Sequence, residues 1–313
     1  MRSLLGDESR RAAAAPEVHL LLAEAEFRLG SAVVARDRLE EIIPQFIRAG
    51  DGPSLRKSVN MLGAAHLELG DLEAAESAFA EVIELANSDG DILVMARATN
   101  NLGIIAHIRG RYGSALSMYQ LAVPAYQRIG SALGLAESCH NMAISYRVTE
   151  QLSEADEYER RAIEFARESG NSRLAAMAGV GRAEVALLRG DASLARVGAE
   201  RGARAFSAIP DPLREADAWR LVGVASVSLG ETDGAVAALD RALLLAREHG
   251  SALIEAEARR ARAELWLALE RTDRARDDAR AAEALFQKLG SAAELAAVRA
   301  LLAKADGGES ASN

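Results

Sequence analysis

Alanine recurs every 40 residues along this chain, at Ala35, Ala75, Ala115, Ala155, Ala195, Ala235 and Ala275. Twelve residues before each stands a second small residue, in the series Ala23, Gly63, Gly103, Ala143, Ala183, Gly223 and Ala263. A period of this size means a stack of like units, each burying its apolar face on its neighbours. Small side chains at fixed points on two helices let their backbones approach and pack ridge into groove. The length of 313 residues would otherwise suggest about two domains, but a repeat array grows by stacking and escapes that estimate.

The turns keep the same beat. Gly30, Gly70, Gly110, Gly190 and Gly230 stand five residues before the periodic alanine, with Glu150 and Glu270 in the other two copies. Glycine suits a helix C-terminus because it accepts the left-handed conformation. A second turn reads Gly50-Asp51, Gly90-Asp91, Gly130-Ser131, Gly170-Asn171, Gly250-Ser251 and Gly290-Ser291, with Pro210-Asp211 in the sixth copy. Each pair supplies a helix stop and then a capping residue for the next helix.

Each unit is therefore a helix A, a tight turn and a helix B, each helix of about 15–18 residues. The clearest copy runs from Arg97 to Ser131. The expected fold is all-α: an α-solenoid of seven helix pairs over residues 16–50, 51–90, 91–130, 131–170, 171–210, 211–250 and 251–290. Residues 291–305 read as a capping helix, 306–313 as a disordered tail and 1–15 as an N-terminal extension or cap. Pro44 and Pro124 fall inside B helices, where a lost hydrogen bond is expected to bend them.

Paired helices with a Leu-Gly dipeptide and a later alanine resemble the tetratricopeptide repeat, whose skeleton is W-x2-L-G-x2-Y…A-x3-F. Leu62-Gly63, Leu102-Gly103 and Val222-Gly223 match the Leu-Gly pair, and Met142-Ala143 is a close variant. Trp219 matches the early aromatic, Tyr146 and Trp266 the late one of helix A, and Phe79 and Tyr119 that of helix B. The period exceeds the usual 34 residues. It looks like the longer-helix subclass of LGN-type scaffolds and MalT-like bacterial arrays. The resemblance implies a right-handed superhelix that binds a peptide or protein on its inner surface and performs no catalysis.

Helix geometry separates the faces of the third A helix. Thr99, Leu102, Gly103 and Ala106 form one stripe and should pack on helix B. Arg97, Asn100, Asn101 and Ile104 form another, which the resemblance places in the concave groove. Across copies this stripe carries Asn60, Asn100, His140 and Arg220 at one position and Asn101 and Asn141 at the next, with Ile104 and Ile144 beyond and Arg97, His107 and Arg147 alongside. Asparagine is a poor helix-interior residue, and its amide both donates and accepts, which suits the backbone of an extended peptide. The candidate groove is thus Asn60, Arg97, Asn100, Asn101, Ile104, His140, Asn141, Ile144, Arg147 and Arg220. The bland alternative is that Asn100, Asn101 and Asn141 bridge adjacent A helices. Arg220 and Arg260, set among Asp217, Glu257 and Glu264, read as salt-linked groups.

A C-terminal carboxylate clamp is disfavoured, because Ala64 and Glu137 stand where it needs Asn and Lys. No HExxH, CxxC, GxGxxG or GxSxG pattern is present, so the chain reads as non-enzymatic with no cofactor or metal. Cys139, the single cysteine, reads as a small core residue and is compatible with a reducing compartment. A net charge of −9 argues against direct nucleic-acid binding and against an anionic membrane surface. No apolar run reaches the roughly 20 residues of a membrane span, and the expected location is cytoplasmic. The partner is a protein or peptide, with self-association through the solenoid ends left open. The alternative function is a regulatory sensor module that responds to a small ligand or inhibitory protein.

Overall fold

The glycine-marked turns are where the chain reverses. In the computed structural model, which describes residues 15–307, Gly30, Gly50, Gly70, Gly90 and their counterparts have φ between +66° and +81°. Glu150 and Glu270 adopt the same left-handed conformation at φ +59° and +58°. The turn geometry therefore persists where glycine is lost, at the steric cost a Cβ carries there. The expected cap over 1–15 and tail over 306–313 lie outside the described residues, apart from Ala15, Asp306 and Gly307.

The described residues form fifteen helices: α1 (Pro16–Arg28), α2 (Ala32–Ala49), α3 (Gly52–Glu68), α4 (Leu72–Asp89), α5 (Ile92–Ile108), α6 (Tyr112–Ile129), α7 (Ala132–Val148), α8 (Leu152–Glu168), α9 (Ser172–Leu188), α10 (Ala192–Ala208), α11 (Pro212–Ser228), α12 (Thr232–Glu248), α13 (Ala252–Ala268), α14 (Thr272–Leu289) and α15 (Ala292–Ala305). Side-chain oxygens cap the A helices as the second turn predicts. Asp51 accepts from Ser54 N–H at 3.1 Å, Asp91 from Val94 at 3.2 Å, Ser131 from Gly134 at 3.2 Å and Asn171 from Leu174 at 2.9 Å. Ser291 departs from the pattern and makes no such bond. Pro44 and Pro124 lie within unbroken helical spans. Among the described residues no helix is long and apolar enough to cross a membrane.

The helices fall into two compact units, divided after Ser145. Within unit one, each of α1 to α5 packs on the next, and α1 meets α3 and α3 meets α5. Within unit two, α8 to α15 pack in the same sequential way, with added contacts α9 to α11, α11 to α13 and α13 to α15. Among the described residues only odd-numbered helices meet next but one, so in each unit they form the tighter side of the stack.

The two small-residue series explain the packing. All seven periodic alanines are completely buried. In unit one the Phe79 ring lies against Gly63 and the Tyr119 ring against Gly103, where an added Cβ would sit 2.5 Å from Tyr119 Cε1. Leu239 fills the same place against Gly223 in unit two. The stripe through Gly103 thus faces helix B, as its spacing predicts. At the C-terminal end Val298 and Leu302 of α15 pack with Phe286 of α14.

Candidate functional site

Residues of α1, α3, α5 and α7, with Tyr126 of α6, line a cleft of about 400 Å³. It receives Glu24 from α1, Lys57 and Asn60 from α3, Arg97, Asn100 and Asn101 from α5, and Glu137 from α7. Four of the ten sequence-derived site residues thus meet in one place: Asn60, Arg97, Asn100 and Asn101. Ile104, Asn141 and Ile144, all partly exposed, and His140, which is buried, are not among the described residues lining it. Arg147 and Arg220 belong to unit two.

The asparagines differ in what they have left to offer. Asn100 is 4% exposed, and its Oδ1 accepts a 3.0 Å hydrogen bond from Ser138 Oγ on α7. It therefore bridges adjacent A helices, with a serine rather than another asparagine as partner. Asn60 is the opposite case. Its Oδ1 is buried and has no hydrogen-bond partner, an unusual state for a buried acceptor. Nearby Glu24 is satisfied by Lys57 at 2.8 Å and Arg28 at 2.6 Å. The Lys57 hydrogen bond is the main reason its carboxyl is held below the usual range.

Glu137 lines the cleft and is exposed. Desolvation raises its pKa, and Arg97, which is exposed, opposes the shift. Tyr126 forms part of the wall, its ring pressed against Gly134, and burial pushes its phenol up. The cleft thus combines amide groups, an accessible cation and a carboxyl group whose pKa is raised.

In unit two the corresponding side of the stack is occupied by ion pairs. Arg147 pairs with Glu184. Arg220 pairs with Asp217 at 2.6 Å and with Glu257 at 3.2 Å, and Arg260 with Glu294 at 3.3 Å. Burial depresses Arg147, while Glu159 and Asp217 oppose this. Burial also pulls Arg220 down, but its carboxylate neighbours outweigh that and leave it raised. Arg147 and Arg220 are salt-linked, the reading that the acidic residues around Arg220 already suggested. Glu159 was missed in the sequence. It is 2% exposed, and it holds the helix-B position filled by Phe79 and Tyr119 in earlier copies.

At the sequence level no curated protein matches. Solved structures do. The apo form of RapI aligns with a TM-score of 0.72 at 14% identity, covering 94% of this chain and 83% of that one. A Rap protein complexed with Competence and Sporulation Factor aligns at 0.69 and 14% identity, covering 93% and 85%. A signal transduction ATPase with a tetratricopeptide repeat sensor, from Pyrococcus horikoshii, aligns at 0.63 and 13% identity, covering 86% of this chain and 43% of that one. At such identities the likeness is one of fold. The tetratricopeptide repeat model matches residues 14–88 and 94–168, so these two stretches carry tetratricopeptide repeats, within an all-helical stack of paired helices.

Proposed function

We propose that this chain is a non-enzymatic scaffold that holds a peptide or helical segment of a protein partner in the unit-one cleft. The observation that carries the proposal is the buried, unpaired Asn60 Oδ1 in a cleft that also presents Asn101 and Arg97. An extended segment supplies backbone N–H groups, the donor this acceptor lacks. The cleft is already formed, so little ordering free energy is spent on binding. Tetratricopeptide arrays of the same fold support the reading, including the Rap protein captured with its factor. The array would comprise seven pairs of the longer-helix subclass, with α15 as the end cap and an exposed end available for self-association. Its expected location is the cytoplasm.

The test is capture from native lysate by the wild-type chain and by a double variant, Asn60→Ala with Asn101→Ala. The expected result is loss of one specific partner with helicity and melting retained. Equal capture by both would refute the assignment.

A second reading is a regulatory sensor, favoured by the neighbouring ATPase whose repeats are described as a sensor. A small molecule that raises the melting temperature in the absence of any peptide would favour it.

A further inference from the structure

Unit two holds a second cleft, of about 470 Å³, between α8, α9 and α10. It is flanked by α8 and α10, which among the described residues do not touch one another. Its origin is visible in the repeat register. The position of Gly179 carries His19, Val59, Thr99, Cys139, Trp219 and Arg259 in the other copies. The position of Gly198 carries Arg38, Ala78, Met118, Tyr158, Ala238 and Asp278. These two positions face each other. Arg38 Nη1 lies 3.0 Å from His19 Nδ1, and Arg259 donates to Asp278 at 3.0 Å. In the fifth copy both are glycine. Ala175 stands where Leu55, Met95, Leu135, Glu215 and Glu255 stand, alanine recurring only at Ala15, and Ala205 stands where Gln45, Leu85, Phe165, Leu245 and Leu285 stand, alanine recurring only at Ala125.

Glycine inside a helix costs about 1 kcal/mol relative to alanine. Packing accounts for two of the glycines here. A Cβ on Gly202 would collide with Val180, and one on Gly198 would sit 3.0 Å from Ala183 Cβ. Gly179 has no such reason, since a Cβ there meets nothing within 4 Å. Its effect is to keep the cleft open. The walls are apolar, and Leu194 and Val197 remain 55% and 45% exposed. Val197 stands where the other copies have Asp, Ser, Glu or Ala.

Charge at the mouth defines the ligand. Arg182 is held by Asp156 at 2.8 Å. Arg167 and Arg201 also line the cleft, and among the described residues neither has an ion-pair partner. We propose that this cleft binds a small carboxylic acid with an aromatic or branched apolar body, the body against Leu194 and Val197 and the carboxylate between Arg167 and Arg201. The volume lies in the range of small-molecule sites.

The probe is 2-naphthoate, titrated calorimetrically into the full chain, with 2-naphthamide as its uncharged counterpart. The expected result is saturable one-to-one binding of the acid and weaker binding of the amide. Gly179→Leu should lower the affinity about tenfold or more by filling the cleft, while its unfolding midpoint stays equal or rises. Arg167→Gln with Arg201→Gln should weaken the acid to the level of the amide and leave the amide unchanged. Absence of saturable binding, binding that survives Gly179→Leu, or an amide that binds as tightly as the acid would each overturn the proposal.

Discussion

Asn60→Leu should stabilise the free protein and weaken it as a binder. The side chain keeps its branching but loses an acceptor that is buried without a partner. Such an acceptor costs about 1–3 kcal/mol. Asn60 as a whole is only partly buried, so the lower end, about 1 kcal/mol, is the appropriate figure. Replacing asparagine by leucine in the interior of α3 adds about 0.5 kcal/mol of helix propensity. Together these give about 1.5 kcal/mol. For a cooperative body the size of unit one, this corresponds to a rise in melting temperature of about 3–6 °C. Thermal unfolding followed by circular dichroism reads it directly. A melting temperature below that of the wild type would mean that the amide is satisfied in the free protein, and the argument for a missing donor would fail.

Three further outcomes follow from the same geometry. Asn100→Ala should destabilise by about 1–3 kcal/mol, because Ser138 Oγ is fully buried and loses its acceptor; adding Ser138→Ala should cost little more, and urea midpoints of the single and double variants check the coupling. Glu150→Gly should stabilise by up to about 1 kcal/mol in urea unfolding, since a residue with φ +59° loses its left-handed penalty. Glu137→Gln should be more stable than the wild type at neutral pH. The folded pKa lies above 4.5, so the native state binds more protons than the unfolded one between 4.5 and the raised value, and wild-type stability falls as pH rises through that window. Urea midpoints measured across the window should slope downward for the wild type and lose that component in the variant.

The architecture was legible because its signals repeat. Glycine or its substitute marks each turn, an acidic, Ser or Asn residue follows at each A-helix start, and two small-residue series fix the helix contacts. Repetition turns weak local preferences into one consistent pattern. The site was legible in part. Helical spacing brought Asn60, Arg97, Asn100 and Asn101 to one stripe, and they share one cleft. The fate of each side chain was not legible, because it depends on a residue nearly a full repeat away. Ser138 engages Asn100, Glu184 engages Arg147, and Glu257 engages Arg220. Such partners follow from the tilt between successive helices, which single-helix periodicity does not carry. Glu159 escaped notice because composition marks a glutamate as a surface residue, whereas its register puts it in the core. The fifth-copy cleft had a signal that composition hides. In an alanine- and glycine-rich chain, Gly179 and Gly198 look ordinary until each is compared with its counterpart every 40 residues.

Capture of an extended segment through the amide groups of the unit-one cleft is open to direct measurement. The most direct measurement uses peptides selected from a random library on the full chain, with fluorescence anisotropy giving Kd for the wild type and for Asn60→Ala with Asn101→Ala. Affinity is expected to fall about tenfold or more, since each lost hydrogen bond to the ligand removes about 0.5–1.5 kcal/mol, with melting unchanged or raised. Selected peptides that bind both proteins equally would contradict it.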